Sequence, residues 1–391
     1  MSKFKATFTL KQHTPIIHFQ SDQSGATLRA TELKPKFDRF LKAVAFHGDI
    51  PKGYKISDDK DALDYKVKII EKKVRTDEID LNGLPDERLF MGNMGGGSIK
   101  QMFHRNSDIF VTLISFNSDL IVLLEEYFAN FIMQTNFGGG SSKGFGSFTV
   151  NDKEVIHYPL NIYSFVSTGK SLENVNSAIA YFYKMLKSGI NEYDKNSVSI
   201  FYGKSLLWLY VNTKEKNVTW EKKKIKECFF SEELGSQKKK YPDSEMLLSN
   251  KEPFLYRDLL GLSLESDWMS YNNATVTKTV IGGDKVDRFA SPLVFKPVLI
   301  DGNYVVYYWG KDIPSEILDR EFKFSSETKK PFNIKTPKTF DIHAYLEFIS
   351  IQNMKTHIES KFQHSDIFKI LNPLFNSIEK IENNAKEKAN Q

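Results

Sequence analysis

The chain of 391 residues contains one cysteine, Cys228. A single thiol excludes an internal disulfide framework and a zinc site built from cysteines, and it is typical of a protein from a reducing compartment. Long hydrophobic runs are also missing. The longest purely aliphatic stretch, 120–124, is far too short to span a bilayer, and the first residues carry no apolar leader. These absences predict a soluble cytoplasmic protein with no membrane partner.

The chain also has little net charge, and it lacks the common nucleotide-binding and metal-binding motifs. Lysine and arginine total 54 against 49 acidic residues, a net charge of +5 that permits a polyanion partner without requiring one. The chain has no Gly-x-x-x-x-Gly-Lys-Ser/Thr loop, no dinucleotide fingerprint and no His-Glu-x-x-His. Metabolic enzyme classes are therefore unsupported, and we expect no cofactor and no metal.

A glycine-rich segment at 136–148 is the most distinctive feature of the chain, Asn-Phe-Gly-Gly-Gly-Ser-Ser-Lys-Gly-Phe-Gly-Ser-Phe. Glycines allow positive φ and close approach of the backbone to a ligand, and consecutive N–H groups suit an anion. Hydroxyl, ammonium and aromatic groups accompany them, which favours a phosphodiester with its base. A flexible connector is the alternative. The predicted contact positions are Gly138, Gly139, Gly140, Ser141, Ser142, Lys143, Gly144, Phe145 and Gly146.

A predicted helix near the N-terminus carries a basic face. Apolar residues recur at helical spacing from 33 to 44, with Thr31 as a candidate cap and Pro35 in the first turn. A basic helix face is most often an ordinary solvated surface. Placed beside a glycine loop, the same face becomes a candidate for phosphate binding. Its cations are Arg29, Lys34, Lys36, Arg39 and Lys42.

The order of predicted elements indicates the fold class. The first 150 residues read as strand, helix, strand, strand, helix, strand, with 117–119 capping the second helix. A further cycle begins near 155. We predict an α+β fold of two ferredoxin-like, RRM-related βαββαβ domains with helical insertions, spanning 1–152 and 153–391.

The second half carries weaker local signals. We predict a helix over 172–187, a strand over 197–210, a helix over 249–262 and a hairpin turn at 301–303. The segment 214–240 is the most basic of the chain and includes two lysine triplets, 222–224 and 238–240. Such runs are usually solvated, although a polyanion contact is the alternative.

These motifs together resemble the RAMP superfamily of CRISPR-associated proteins, which share a glycine-rich loop after the second helix; here 137–147 looks like that loop. Within the superfamily the chain looks most like the first subunit of the type III-B Cmr effector complex. That similarity is carried by Thr14-Pro15, Leu28-Arg29, the basic helix and the segment 290–293, Ala-Ser-Pro-Leu. The helix departs from the family pattern in having fewer arginines and no tryptophan.

The resemblance implies a noncatalytic, RNA-binding subunit of a type III ribonucleoprotein effector in antiviral defence. Such a subunit would contact the 3′ region of the guide RNA and the target RNA, together with other RAMP subunits. The basic helix would bind phosphates, the glycine loop would approach the RNA backbone, Lys143 would supply a charge and Phe145 a stacking surface. Contacts of this kind read shape and backbone, whereas guide–target pairing reads sequence.

Three other interpretations stay open. A guide-processing endoribonuclease would use one histidine as general acid or base, with His13, His18, His47 and His104 available. A target-cleaving subunit would place a metal on the acidic loop 58–64. A protein-interaction module without an RNA role would use the four tryptophans, Trp208, Trp220, Trp268 and Trp309, as interface anchors.

Overall fold

The computed structural model of the protein describes most of the chain. The described residues are 3–17, 28–71, 77–78, 102–104, 108–151, 161–196, 198–214, 219–231, 253–268, 274–282, 289–326 and 329–381. The glycine-rich segment 92–98, for which the sequence predicts a turn, lies outside these residues, as do His18 and the lysine triplet 238–240. No helix within the described ranges combines the length and apolar character needed to cross a membrane.

Helices and strands alternate along the chain. The helices are α1 Ala30–Val44, α2 Ser118–Gln134, α3 Leu172–Lys187, α4 Leu206–Lys214, α5 Glu221–Phe229, α6 Ile342–Ser350, α7 Met354–His357 and α8 Asp366–Asn376. The strands are β1 Lys5–Gln12, β2 Ile16–Ile17, β3 Lys66–Glu71, β4 Asp77–Glu78, β5 Met102–His104, β6 Ile109–Ile114, β7 Phe148–Val150, β8 Tyr163–Val166, β9 Ile190–Tyr193, β10 Ser199–Gly203, β11 Thr219–Trp220, β12 Pro253–Phe254, β13 Glu265–Trp268, β14 Ala274–Val280, β15 Leu293–Ile300, β16 Asn303–Gly310, β17 Glu321–Ser325, β18 Phe332–Lys335 and β19 Glu379–Lys380.

The chain divides into two compact units. Unit 1 comprises Met1–Ala180, Val294–Trp309 and Ser377–Gln391, and unit 2 comprises Tyr181–Leu293 and Gly310–Asn376. Both units are therefore built from segments that are distant in sequence. The predicted domains, 1–152 and 153–391, were continuous, and that division stays a prediction.

Unit 1 contains a four-stranded sheet in the order β3-β6-β1-β7. Strand β1 pairs antiparallel with β6 and with β7, and β3 pairs antiparallel with β6. Helix α1 follows β1 and helix α2 follows β6, so the chain order is the predicted strand, helix, strand, strand, helix, strand. The alternation in β1 buries Ala6, Phe8 and Leu10 on one face, as its period-two pattern predicts.

Aromatic side chains dominate the core between this sheet and the two helices. Phe8 of β1 stacks on Phe128 of α2 with ring centroids 4.2 Å apart, and Phe37 of α1 stacks on Phe131 at 4.7 Å. Phe37, Phe128 and Phe131 have no solvent-exposed area. Much of the phenylalanine content thus packs the helices onto the sheet.

A second four-stranded sheet, β15-β16-β8-β19, lies essentially within unit 1. Counted by their order along the chain, its strands have the same arrangement as those of the first sheet. Asp301 and Gly302 make the turn between β15 and β16 with φ values of 47° and 77°, a pair of left-handed residues typical of a tight hairpin. The α+β prediction is confirmed. The ferredoxin-like form of both halves stays a prediction, which the shared strand order supports.

Unit 2 is built on a six-stranded sheet in the order β11-β12-β18-β17-β14-β13. Its core includes Phe229 and Ile225 of α5 together with Phe322 and Phe324 of β17. A separate antiparallel pair, β9 and β10, also belongs to this unit. The unit supplies a scaffold for the charged cluster described below.

Of the two predicted helix caps, one is confirmed and one is wrong. Asn117 caps α2 as predicted, since its side chain accepts from the N–H groups of Asp119 at 3.0 Å and Leu120 at 3.1 Å. Thr31 is not a cap, because α1 begins one residue earlier at Ala30.

Two predictions in the second half are wrong in part. The predicted strand over 197–210 ends at Gly203, and the hydroxyl of Ser205 then accepts from the Trp208 N–H at the start of α4. Instead of a helix over 249–262, the described part holds β12 and the short 3-10 helix Arg257–Leu260. Proline at 253 and a glycine with φ of 119° at 261 explain why a longer helix does not form there.

Candidate functional site

The glycine loop begins where α2 ends, and a buried lysine holds that end. The Nζ atom of Lys296 donates to the carbonyl oxygens of Ile132 and Thr135, both at 2.8 Å. Lys296 has no exposed area, and burial lowers its pKa well below the usual lysine value. An amine donor at a helix C-terminus satisfies carbonyl groups that the helix leaves unpaired. The sequence prediction missed this residue, because Lys296 is distant in sequence and its strand is otherwise apolar.

Asn136 closes the loop on itself. Its Nδ2 group donates to the carbonyl of Ser141 at 2.6 Å and to the carbonyl of Phe295 at 2.7 Å. The Phe295 N–H in turn donates to the Ser142 carbonyl at 3.1 Å. The loop is therefore fastened to strand β15, within unit 1, by both side-chain and main-chain hydrogen bonds. This fastening argues against the flexible-connector interpretation.

The glycines of the loop are required by close contacts inside the protein. A Cβ atom on Gly138 would lie 2.6 Å from the Ile17 carbonyl oxygen, and one on Gly146 would lie 1.9 Å from the Phe137 carbonyl oxygen. Both residues have positive φ, 78° and 64°. Glycine is thus needed at these positions whether or not a ligand binds.

Most of the loop N–H groups have partners within the protein. The Gly138 N–H donates to Glu32 Oε1 at 2.8 Å, and the N–H groups of Gly139 and Gly146 donate to the carbonyls of Ile17 and Pro15, each at 2.7 Å. The expected cradle of exposed donors is therefore reduced to the tip, 140–142. Among the described residues, the N–H groups of this tip donate to no protein acceptor.

The predicted roles of Phe145 and Lys143 need correction. Phe145 is 2% exposed, so its ring is not available to stack on a base in this conformation. The ammonium group of Lys143 is buried and lies 6.0 Å from the centroid of the Phe295 ring. The sequence predicted that both side chains are exposed, because glycines surround both residues. Burying a phenylalanine is favourable by about 1.5–3 kcal/mol, which explains why the ring packs inward.

Residues 140–144 also match Gly-x-Ser-x-Gly, the pattern of a nucleophile elbow. An elbow joins a strand to a following helix. Here helix α2 precedes the loop and strand β7 follows it. The match therefore lacks the structural context of a catalytic serine.

The basic helix α1 is tied to the glycine loop along one side. Glu32 Oε1 accepts from Lys36 Nζ at 2.7 Å as well as from the Gly138 N–H. Lys36 Nζ also donates to the Asn136 carbonyl at 2.9 Å and lies 5.0 Å from the Phe137 ring centroid. Structure thus brings the two predicted binding elements together through one ion pair.

Two predicted cations on α1 lie on the other side of the helix. Lys34 donates to Asp38 and to the Leu63 carbonyl, both at 2.8 Å, and its Nζ lies 4.1 Å from the Tyr65 ring centroid. Lys42 forms an ion pair with Asp61. Each charge therefore has a carboxylate partner away from the glycine loop, and Lys42 shares its partner with Lys55.

The two arginines lie on the stripe of α1 that also carries Glu32 and Lys36. Arg29 precedes the first helical residue and is half-buried, whereas Arg39 is exposed. The Nε group of Arg39 donates to the Pro35 carbonyl at 3.2 Å. Positions 29, 32, 36 and 39 repeat at intervals of three or four, which places them on one helix face. The predicted basic face therefore divides into a stripe beside the loop and a stripe beside the acidic segment.

Two of the four histidines available to an endoribonuclease, His13 and His47, have side chains that the structure describes. His13 is 2% exposed, its Nε2 lies 2.7 Å from Thr149 Oγ1, and its Nδ1 accepts from the Leu299 N–H at 3.0 Å. Both ring nitrogens are thus used in holding strands together. His47 is exposed in a turn with φ of 48°.

The aspartates of the acidic loop 58–64 form ion pairs with nearby lysines. Lys52 lies 3.4 Å from Asp58, while Lys42 and Lys55 both pair with Asp61. Lys42 and Lys55 lower the pKa of Asp61 through hydrogen bonds and charge. No group of three or more histidine, cysteine or acidic side chains suited to a metal occurs within the described residues.

Alternating lysines on β3 form a basic surface that the sequence prediction did not single out. Lys66 and Lys68 are exposed and point away from the core, and the register pairs Lys66 with Ile114, which in turn pairs with Lys5. Phe110 of the neighbouring strand β6 is half-buried on the same face. Period-two alternation of lysine in a predicted strand was the signal that could have revealed this surface.

Comparison with protein families identifies the class of protein. Residues 3–190 match the Cmr1 N-terminal domain, and residues 202–384 match the Cmr1 C-terminal domain. The chain is thus a subunit of the Cmr effector complex of type III-B CRISPR systems. It belongs to the Cmr1 family. The two matches meet between residues 190 and 202, whereas the predicted domain division was at 152.

A solved structure offers a further comparison. The chain is similar to the apo crystal structure of Cmr1 from Pyrococcus furiosus, with 14% identity, 89% of this chain and 96% of that chain covered, and a TM-score of 0.37. So low a score adds nothing to the family assignment, which comes from the two domain matches. A comparison with curated proteins finds no match.

Proposed function

We propose that the protein is a noncatalytic RNA-binding subunit of the cytoplasmic type III-B effector and that it contacts the guide RNA 3′ region and the target RNA. The supporting observation is the ion pair of Glu32 and Lys36, which joins the basic helix to the glycine loop. This ion pair links the helix that carries exposed Arg39 to the loop that carries the donor groups of 140–142. Other subunits of the complex are the expected protein partners.

Recognition by this site would be independent of RNA sequence. An arginine presents a planar fork of donors that suits a phosphate, and free main-chain N–H groups at the loop tip suit the same group. Because Phe145 is buried, we no longer assign base stacking to the loop. Lys34 and Lys42 contribute less, since each already has a carboxylate partner.

RNA binding over a salt series tests the proposal. The double variant Arg29→Ala/Arg39→Ala should bind single-stranded RNA more weakly for all sequences, and the slope of log affinity against log salt should fall by about 0.7 for each lost phosphate contact. Lys52→Ala is the matched control, because Lys52 is exposed and lies beside Asp58 of the acidic loop, away from the helix stripe that carries the two arginines. An unchanged slope in the arginine variant would refute the assignment.

Analysis of the same samples on a denaturing gel tests the enzymatic alternatives. We expect the RNA to remain intact, because His13 uses both ring nitrogens in structural hydrogen bonds. Cleavage that is lost on replacing His47 or His104 would instead support a processing endoribonuclease. Cleavage that requires a divalent metal would support a target-cleaving subunit.

A further inference from the structure

Unit 2 contains a concentration of positive charge that the RNA-binding proposal does not use. Three elements converge on it: the last residue of α3 is Lys187, the second residue of α5 is Lys222, and the 3-10 helix begins at Arg257. Lys187 Nζ donates to the Gly261 carbonyl at 2.6 Å, and Lys222 Nζ donates to the Ser188 carbonyl at 3.3 Å. We call Lys187, Lys222 and Arg257 the cationic cluster.

Two carboxylates lie beside the cluster, one paired with Arg257 of the cluster itself and one with a lysine outside it. Glu221 is 1% exposed and pairs with Arg257. Asp258 is 6% exposed and accepts from Lys278 through both oxygens, at 2.9 and 2.8 Å. Lys187 and Lys222 therefore hydrogen-bond only to neutral carbonyls among the described residues.

Among the charged groups of this region that belong to the described residues, positive charge is in excess. Lys187, Lys222, Arg257 and Lys278 supply four cations, and the two carboxylates supply two anions, with Lys226 adding a further positive charge near Lys222. Desolvated like charges repel each other strongly, and a group in such a place must find a counter-ion or give up its proton.

The titration of the two lysines agrees with this excess. Burial, followed by the positive charge of Arg257, lowers the pKa of Lys222 to about 7. Burial also lowers the pKa of Lys187 to about 8, against the attraction of Asp258. Near neutral pH both amines are thus close to their transition between charged and neutral forms, and a bound anion would restore the charge.

The cluster also has N–H donors that form no hydrogen bond within the described residues. An ammonium group carries three N–H donors and a guanidinium group carries five. Lys187 and Lys222 each use one on a carbonyl, and within the described part of the chain Arg257 uses only its Nε, on Glu221. Two amines and a planar fork of donors are the groups that bind phosphate oxygens in proteins.

We propose that Lys187, Lys222 and Arg257 form a binding site for a phosphate-type oxyanion, supplied either by an RNA phosphodiester or by a free phosphate group. The site lies in unit 2 and uses none of the residues assigned to RNA binding in unit 1. Its test therefore does not depend on the proposed function of the basic helix.

Calorimetric titration of the full chain with inorganic phosphate tests the site. At pH 8, where inorganic phosphate is already mostly the dianion and has little proton to release, we expect binding accompanied by proton uptake, seen as a dependence of the heat on buffer ionisation, because the anion favours the charged amines. Affinity should fall as pH rises above about 8, where Lys187 and Lys222 lose their protons. Binding without proton uptake, or no binding, would refute the proposal.

A matched pair of variants locates the site. Lys222→Met should weaken phosphate binding at least tenfold and reduce proton uptake, whereas Lys223→Met, the next residue of α5, should leave both unchanged. Equal losses in the two variants would also refute the proposal. Thermal unfolding of both variants shows whether they are folded. If Lys222→Met does not fold, the proton uptake measured on the wild type still tests the site.

Competition identifies the source of the phosphate. If a short single-stranded RNA displaces inorganic phosphate from the wild type and from Arg29→Ala/Arg39→Ala alike, the ligand is a backbone phosphodiester. If the RNA fails to displace phosphate, the site takes a free phosphate group. Either result supports the site, and only the first would extend the RNA surface into unit 2.

Discussion

Replacement of Gly146 by alanine tests how the glycine loop is held. The new Cβ atom would lie 1.9 Å from the Phe137 carbonyl oxygen, far inside contact distance, and φ at this position is 64°. The chain must therefore shift by more than 1 Å, which is about the shortfall from an ordinary contact. The shift would break two hydrogen bonds, from the Phe137 N–H to the Gly146 carbonyl at 3.0 Å and from the Gly146 N–H to the Pro15 carbonyl at 2.7 Å.

The expected loss can be estimated from these terms. A left-handed conformation destabilises a residue other than glycine by about 1–2 kcal/mol. Each lost hydrogen bond contributes about 1 kcal/mol more. We therefore expect Gly146→Ala to destabilise the loop by about 3–4 kcal/mol.

Gly302→Ala is the matched control. Gly302 belongs to the same unit and has φ of 77°, but a Cβ atom there would meet nothing within 4 Å. It should lose only the conformational term, so the two variants should differ by about 2 kcal/mol.

Hydrogen exchange measured by mass spectrometry on peptides covering 136–150 would report this difference. An additional 2 kcal/mol corresponds to about 30-fold faster exchange of amides that open locally. Equal exchange rates in the two variants would show that the loop can move away from Phe137 at little cost. The account of why glycine is needed there would then be wrong.

Three further predictions concern stability. Asn117→Ala should lower the free energy of unfolding by about 1 kcal/mol through loss of the α2 cap, with Ser118→Ala nearly neutral in urea denaturation. Lys296→Met should destabilise by about 2 kcal/mol, because the carbonyls of Ile132 and Thr135 lose their donor; equal or higher stability would mean that desolvation of the amine outweighs those bonds. Stability without phosphate should rise between pH 7 and pH 9, because the unfolded state binds more protons when folding lowers a lysine pKa. The slope should be at most about 1.4 kcal/mol per pH unit for each lysine, and Lys222→Met should reduce it.

The elements of unit 1 were predictable because their signals are local. The period of β1, the apolar spacing of α1 and the Asn117 cap each depend on neighbours within a few residues. Family resemblance likewise came from short motifs, among them the glycine loop and Thr14-Pro15, and the domain matches confirm it. By itself, then, the sequence determined the α+β class, the first run of elements and the family.

Only the tertiary structure decided what the individual residues do. The glycines of the loop lie against Ile17 and Phe137, so their need for a missing Cβ comes from internal packing. Lys34 and Lys42 resemble Lys36 in sequence, yet they pair with carboxylates on the opposite side of the helix. The pairs Lys34–Asp38 and Glu32–Lys36 are local, at i,i+4. The contacts of these lysines with Leu63, Asp61 and Asn136 are long-range, and only folding brings those groups close.

The cationic cluster shows the same limit in unit 2. Its residues occur at 187, 222 and 257, within segments that read separately as a helix end, a lysine run and a turn. Burial and charge then lower the pKa of two lysines that would be ordinary surface cations in an unfolded chain. Electrostatic coupling acts through space over a few ångströms, whereas sequence patterns report only neighbours along the chain. That is why the sequence determined where the positive charges occur, and the fold alone decided which of them share a site.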